Sequence, residues 1–406
     1  MIDGGDIAAI GRRLADRSGP DPPAVWDLRI DAEDLASATD GLRHAKHQTL
    51  MRAYQARYML LPQTAPGGSF LQRLQRHYDP GEMARLEALR TALEDELIAP
   101  QVAAARDAAA RRDLAAYAAA LPGEIRAAPE NAFTAWLRGT PSREHHYRNF
   151  LLQSAADLLA EASASALGVV GEFGPPQSAL FRILIDEFGY GAYGKKHSVL
   201  YRAVMADFGL SDEYNACWPW FDTAALELHN TIHHLFQNPR NLFLQVGFLL
   251  FAETAYQRST QDHFRYLREF HPHVDARYFG EHAHIDLHHT RMIIEEVAAP
   301  LAQAYGPEVG REIVAGAELT RAAFERAGAH LLALSRAFEA ALEAGEALAS
   351  PPDRAAPGQA LTPAAAALLG DRPARIQVGG LGLVTRARTF AGFPADALGR
   401  LVGGEA

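Results

Sequence analysis

Through the middle of the chain, apolar residues recur every three or four positions, the period of a helix with one face turned inward. Residues 142–167 carry Phe150, Ser154, Leu158 and Ser165 along one side, with Glu161 in the same line. Residues 177–188 place Leu180, Ile183 and Leu184 on one face and Glu187 at its end. Residues 195–208 align His197, Leu200, Tyr201, Val204 and Phe208. A helix is predicted over 222–236, and the most apolar one over about 240–259, with Phe243, Val246, Phe248, Leu250 and Phe251 and then Glu253. Two longer ones follow, over about 275–304 and 308–348. Strand periodicity is almost absent before residue 375, where 375–385 has the pattern of a short strand or extended arm. The pattern predicts an all-α protein.

Prolines and glycines divide the chain. Residues 1–40 predict a short amphipathic helix and a proline-rich link at 19–24. Residues 41–122 are helical in pattern, but 101–120 hold many alanines and few large apolar groups, so this stretch is expected to bury little. It reads as an appended module and a candidate homodimer surface, with His44, His47 and His77 on polar faces and expected to be exposed. Beyond residue 350 the composition turns to Pro, Ala, Gly and Arg, a linker of roughly 25 residues. The expected division is 1–140 as an N-terminal helical extension, 141–349 as the chemical domain, and 350–406 as linker and tail. Three glycines at 189–194 have no strand before them and no Gly-Lys-Ser/Thr after, so they predict a helix break and not a phosphate loop. On an unbroken helix Glu187 and His197 would lie ~15 Å apart along the axis; the break lets them converge.

Composition narrows the function. A net charge of −10 over 406 residues disfavours nucleic acid and anionic membranes as partners. A single cysteine, Cys217, excludes an intrachain disulfide and a thiolate metal cluster. The apolar run 242–252 is too short to span a bilayer, and the first residues lack the pattern of a signal peptide, so a cytoplasmic protein is expected.

The chemistry gathers at 278–292, with four histidines and two acids in a helical window. At ~100° per residue His282, Asp286 and His289 share an arc of roughly 60°, bordered by Tyr278, Ile285 and Met292. Inward polar groups need something to satisfy them, and a metal ion would. Glu281, His284 and His288 form a rival face; apolar neighbours favour the first set. His229 and His233, four apart, make a second candidate cluster. Glu253, at the end of the most apolar helix, should be paired, protonated or ligated. Arg258 is poorly placed to neutralise it.

Glu161, Glu187, His197, Glu253, His282, Asp286 and His289 together are carboxylates and imidazoles without thiolates, a set suited to iron or manganese and large enough for two ions. Glu161, then Glu187 with His197 ten residues on, then His-x3-Asp-x2-His at 282–289 resembles the haem-oxygenase-like diiron oxidases, or iron-containing redox enzymes. The wording around Glu187 (DEFGYGAYGKKHSVLYRAVMADFGL) and around Glu253 (FAETAYQRS) is similar to that family as well. The resemblance covers about 141–305. It implies a seven-helix haem-oxygenase-like bundle with Glu161, Glu187, His197, His282, Asp286 and His289 as metal ligands and Glu253 near the metals in a catalytic role. It also implies two Fe(II) ions, O2 as cosubstrate, an external electron donor and a small amine or amino-acid-derived substrate, N-oxygenated by the enzyme. Oxidative C–C cleavage or desaturation of an amino or fatty acid is the alternative. A bundle that only binds or stores metal, one that binds a partner through its N-terminal module, a metal-free bundle with hydrogen-bonded histidines, and a haem site at His145 or His146 are the remaining readings.

Overall fold

The computed structural model describes residues 43–59, 70–141, 143–210 and 221–343, and every regular element among them is helical. In chain order these are α1 (Arg43–Gln55), α2 (Phe70–His77), α3 (Pro80–Leu97), α4 (Ala99–Ala109), α5 (Leu114–Ala127) and α6 (Ala132–Leu137). Then come α7 (Arg143–Leu158), α8 (Ser163–Gly168), α9 (Pro175–Glu187), α10 (His197–Asp207) and α11 (Thr223–Gln237). The last are α12 (Leu242–Phe270), α13 (Arg277–Met292), a π-helical turn Ile293–Ala298, α14 (Ala299–Tyr305) and α15 (Pro307–Glu343). The all-α, haem-oxygenase-like bundle expected from the sequence is the fold found. Local chemistry sets the starts. Asp113, Asn131 and Asp222 cap α5, α6 and α11 by accepting backbone N–H bonds, and Pro175 opens α9, where its missing N–H costs nothing.

The core has two large parts. One joins Leu50, Tyr54, Ile98 and Val102 to Phe236, Leu250, Val297 and Ile313. The other joins Tyr147, Leu151 and Leu158 to Tyr201, Tyr266, Tyr278 and Phe279. Helix α12 reaches into both, with Val246 and Leu250 in the first and Tyr266 and Leu267 in the second. Glu253 lies on the stretch between. Where α12 crosses α15 two glycines face each other's backbone. A Cβ at Gly247 would come within 1.9 Å of the Ile313 carbonyl oxygen, and one at Gly316 within 2.1 Å of that of Leu244. The approach is closer than any other residue allows.

The structure corrects several expectations. The helix predicted over 142–167 is two helices: α7 ends at Leu158, and Ala162 is left-handed (φ 66°), so Glu161 sits in the turn between α7 and α8. The most apolar helix runs on to Phe270. The helix predicted over 275–304 widens into a π turn before Pro300, which has no N–H to return to the Glu296 carbonyl. Residues 101–120 do not bury little. Val102, Ala105, Ala109, Leu114 and Tyr117 are in the core, because their small neighbours let α4 lie against α15. His47 is not exposed; it is buried against Asn230. The side chains of His44 and His77, residues 1–40, Cys217 and the segment at 375–385 lie outside the described residues. No helix among the described residues is long and apolar enough to cross a membrane.

Candidate metal centre

Helix α13 turns His282, Asp286 and His289 inward, all buried, and leaves Glu281, His284 and His288 exposed. Helices α9 and α10 bring the next pair. Glu187 is the last residue of α9 and His197 the first of α10; between them the chain doubles back through Gly189 (φ +62°) and Tyr190 (φ 55°). A Cβ on Gly189 would stand 2.5 Å from the Lys195 carbonyl carbon, so this tight turn requires glycine. Glu187 Oε2 thereby comes within 2.6 Å of His197 Nδ1. The α7–α8 turn supplies Glu161, and α12 supplies Glu253.

These residues form two donor groups. Glu161, Glu187, His197 and His282 make one; Glu253, Asp286 and His289 the other, and in each the ligand atoms all lie within 4.8 Å of one another. In the first, His282 Nε2 is 3.1 Å from His197 Nδ1, 3.2 Å from Glu161 Oε1 and 3.8 Å from Glu187 Oε2. In the second, His289 Nδ1 is 3.1 Å from Glu253 Oε2 and 3.8 Å from Asp286 Oδ1. Glu187 joins the two: its Oε2 faces His197 and His282, and its Oε1 is 3.7 Å from His289 Nδ1.

The imidazole orientations are fixed from behind. His282 Nδ1 donates to the Tyr278 carbonyl at 2.9 Å, which leaves Nε2 to face the acids. His289 Nε2 donates to Asp186 Oδ2 at 3.1 Å, which leaves Nδ1 to face Glu253 and Glu187. Tyr278 donates its hydroxyl to Glu161 Oε1 at 2.9 Å. This is how histidine ligands are held in metal sites, with the distal nitrogen tied to a carbonyl or carboxylate.

The chemistry of the donors fits a pair of iron ions. Both Asp286 carboxylate oxygens and Glu161 Oε2 are buried without a hydrogen-bond partner. Buried, unsatisfied carboxylate oxygens are costly unless a cation meets them. Oxygen and imidazole donors without thiolate suit iron or manganese. The electrostatics agree. Burial would lower the His289 pKa, but Glu253 first, then Glu187 and Asp186, push it up to about 10. Burial would raise that of Glu187, and His197 followed by His282 and His289 bring it down to about 2. Burial raises the Asp286 carboxyl well above the usual range, with Glu253 and Glu187 adding to it. Protons thus stand where cations would.

The other candidates separate from this cluster. His229 Nε2 donates to the Gln153 carbonyl and His233 Nδ1 pairs with the Tyr58 hydroxyl. Burial lowers these imidazoles to about 4 and about 3, so they are neutral core histidines and do not share a metal group. His146 is bound to Glu339. Arg258 pairs with Asp262, which leaves Glu253 to the metal cluster. Sequence reasoning missed Asp186, Tyr278 as a hydroxyl donor, Tyr256 and Asp157. Tyr256 is partly buried next to the His282 ring, with Asp157, Glu161, Glu253 and Asp286 around it. Asp157 precedes Glu161 by one helical turn, a spacing that could have flagged it.

An all-α bundle with two joined carboxylate–imidazole groups has the donor chemistry of a protein that binds iron or manganese. Residues 148–325 match the family described as iron-containing redox enzyme, the same family that the motifs around Glu187 and His282 resemble. The chain is also similar to a nitrosourea synthase of Streptomyces achromogenes subsp. streptozoticus, 38% identical over 188 residues. The match spans 46% of this chain and 40% of that protein's length.

Proposed function

We propose that this chain is an O2-dependent diiron oxygenase that hydroxylates a nitrogen of a small amine or amino-acid-derived substrate. The observation that carries the reading is the pair of buried donor groups meeting at Glu187. In this reading Glu161, His197 and His282 hold one ion and Asp286, His289 and Glu253 the other, with Glu187 shared. The ferrous ions, when bound, supply electrons for the reduction of dioxygen. Leu184, Phe248, Leu249 and Ala252 close the space around the acids and exclude water. Asp186 and the Tyr278 carbonyl keep the two imidazoles aimed inward. The Tyr256 phenol, held well above its usual pKa by burial and then by Asp157 and Glu161, stays protonated and can donate a hydrogen bond beside the centre.

Nitrogen as the site of oxidation is supported by the relative, whose name describes the synthesis of a nitrosourea, a compound with a nitrogen–oxygen bond. The reaction balances as amine plus O2 plus two electrons and two protons giving hydroxylamine and water, so an external electron donor is required. The test is anaerobic loading with ferrous iron, metal analysis, then turnover of candidate amines under 18O2 with a chemical reductant. Two irons per chain and one 18O on the product nitrogen are expected. One iron or fewer overturns the diiron reading. Loss of two hydrogens, or carbon–carbon cleavage without nitrogen oxidation, overturns N-oxygenation and points to the desaturase or lyase alternative.

A further inference from the structure

Beside the metal cluster the bundle encloses a chamber of about 470 Å³ between α7, α11, α12, α13 and α15. A smaller cavity of about 70 Å³ lies against Glu161, Glu187, Glu253 and His282. Asp157 and Tyr256 line both, so they form the partition between the chamber and the candidate centre. The chamber walls are largely aromatic and aliphatic, with Phe133, Phe150, Phe279 and Phe324 among them. Three carboxylates line it, Asp157, Asp222 and Glu325, and not one lysine or arginine. Asp222 is engaged in capping α11, and Glu325 is exposed at the rim. Asp157 is half-buried at the inner end, where the chamber meets the smaller cavity, and its side chain has no hydrogen-bond or ion-pair partner among the described residues. A half-buried carboxyl that opens on an apolar cavity without a partner is unfavourable, and a cation arriving there would satisfy it.

We propose that this chamber binds an organic cation, a primary ammonium or guanidinium on an apolar arm, with Asp157 taking the charged head and the aromatic walls taking the arm. The proposal rests on the function proposed above for its meaning, since it sets a substrate nitrogen at the partition beside the candidate ions. Its physical basis is separate: a compartment without lysine or arginine and with His229 and His263 held neutral by burial, an unpartnered acid at its inner end, and ring faces that attract cations. An anionic ligand would meet three carboxylates and no counter-charge. Asp157 is in this account a positioning and specificity-determining residue, and is not a metal ligand.

The experiment uses the full chain without metal, so that binding is read apart from catalysis. Calorimetry compares n-heptylamine, n-heptanol and n-heptanoate, which share the apolar arm and differ in the head. The amine is expected to bind at least about tenfold tighter than the alcohol, and the carboxylate weakest, as the loss of one charge-assisted hydrogen bond implies. Asp157→Asn should erase the preference for the amine while leaving the alcohol within about twofold, at an unchanged circular dichroism spectrum. Ala327→Phe, on α15 at the other wall of the chamber, should weaken the amine and the alcohol alike. Equal binding of amine and alcohol, an undiminished preference in Asp157→Asn, or no binding of any probe overturns the proposal. Iron titration of the same proteins separates the two readings. Amine selectivity with fewer than two irons sinks the diiron centre and keeps the chamber, and two irons without selectivity does the reverse.

Discussion

At the scale of single residues, the centre depends on side chains that never face it. Asp186 accepts the Nε2 proton of His289 while its chain neighbour Glu187 faces the two donor groups. Adjacent acids thus serve different ends, one orienting an imidazole and one facing both donor groups, where the proposed function has it shared by two ions. Asp186→Asn removes the charge that holds His289 in this tautomer, and such outer partners typically matter by ~10–100-fold in metal affinity. Iron titration should therefore show one of two sites weakened by about that factor, whereas His284→Ala, on the exposed face, should titrate as the parent does. Equal behaviour of the two variants would remove Asp186 from the site. The inward set His282, Asp286 and His289 was legible because helical periodicity fixes which side chains share a face. Asp186 was not, since nothing in a one-dimensional pattern tells which of two adjacent acids points where.

At the scale of elements, the glycines mark where backbones must meet. Gly189 allows the reversal that brings α9 and α10 end to end, and this break was readable from the cluster of glycines at 189–194. Gly247 and Gly316 were not readable, because each is an ordinary residue in a helical pattern until the partner helix is known. Replacing Gly316 with alanine favours the helix by ~1 kcal/mol, but its methyl group runs into the Leu244 carbonyl of α12. Overpacking against a backbone costs ~1–3 kcal/mol or more, so the net effect is expected to be destabilising. Thermal unfolding of Gly316→Ala and Gly247→Ala should show a lower Tm for both, and a raised Tm in either would mean that the two helices stand further apart than described. Because Glu253 lies on α12 less than two turns past Gly247, parting these helices should also loosen the second donor group. The same limit applies to Glu161. Its inward line was seen in the pattern, but the left-handed turn at Ala162 that ends the helix has no signal in an alanine.

At the scale of the whole molecule, the helices before residue 140 are stitched to the bundle by buried polar groups, which is why His47, polar and on a polar face, looked like a surface residue in the sequence. Glu94 of α3 is 3% exposed. It accepts from the Tyr54 hydroxyl at 2.6 Å, Arg90 Nη1 at 2.8 Å and Asn238 Nδ2 at 3.0 Å, and lies 3.3 Å from His234 Nδ1. Gln237 and Asn230 of α11 donate to the Tyr54 and His47 carbonyls in the same seam. Burial alone would raise the Glu94 carboxyl, but the hydrogen bonds from His234 and Tyr54 outweigh it and hold the group at about 2, against an ordinary value of 4.5. A carboxyl depressed on folding stabilises the native state fully above its unfolded value. That contribution is lost as the pH falls from about 4.5 towards 2. A shift of this size corresponds to ~3 kcal/mol at neutral pH. Glu94→Gln keeps the shape and some hydrogen bonds but has no charge to lose. Denaturant unfolding should place the variant up to ~3 kcal/mol below the parent at pH 6, with the difference shrinking steadily through pH 4 and 3 as the parent's carboxylate takes its proton. A difference that stayed constant over that range would mean that Glu94 acts in the seam through packing and not through its charge.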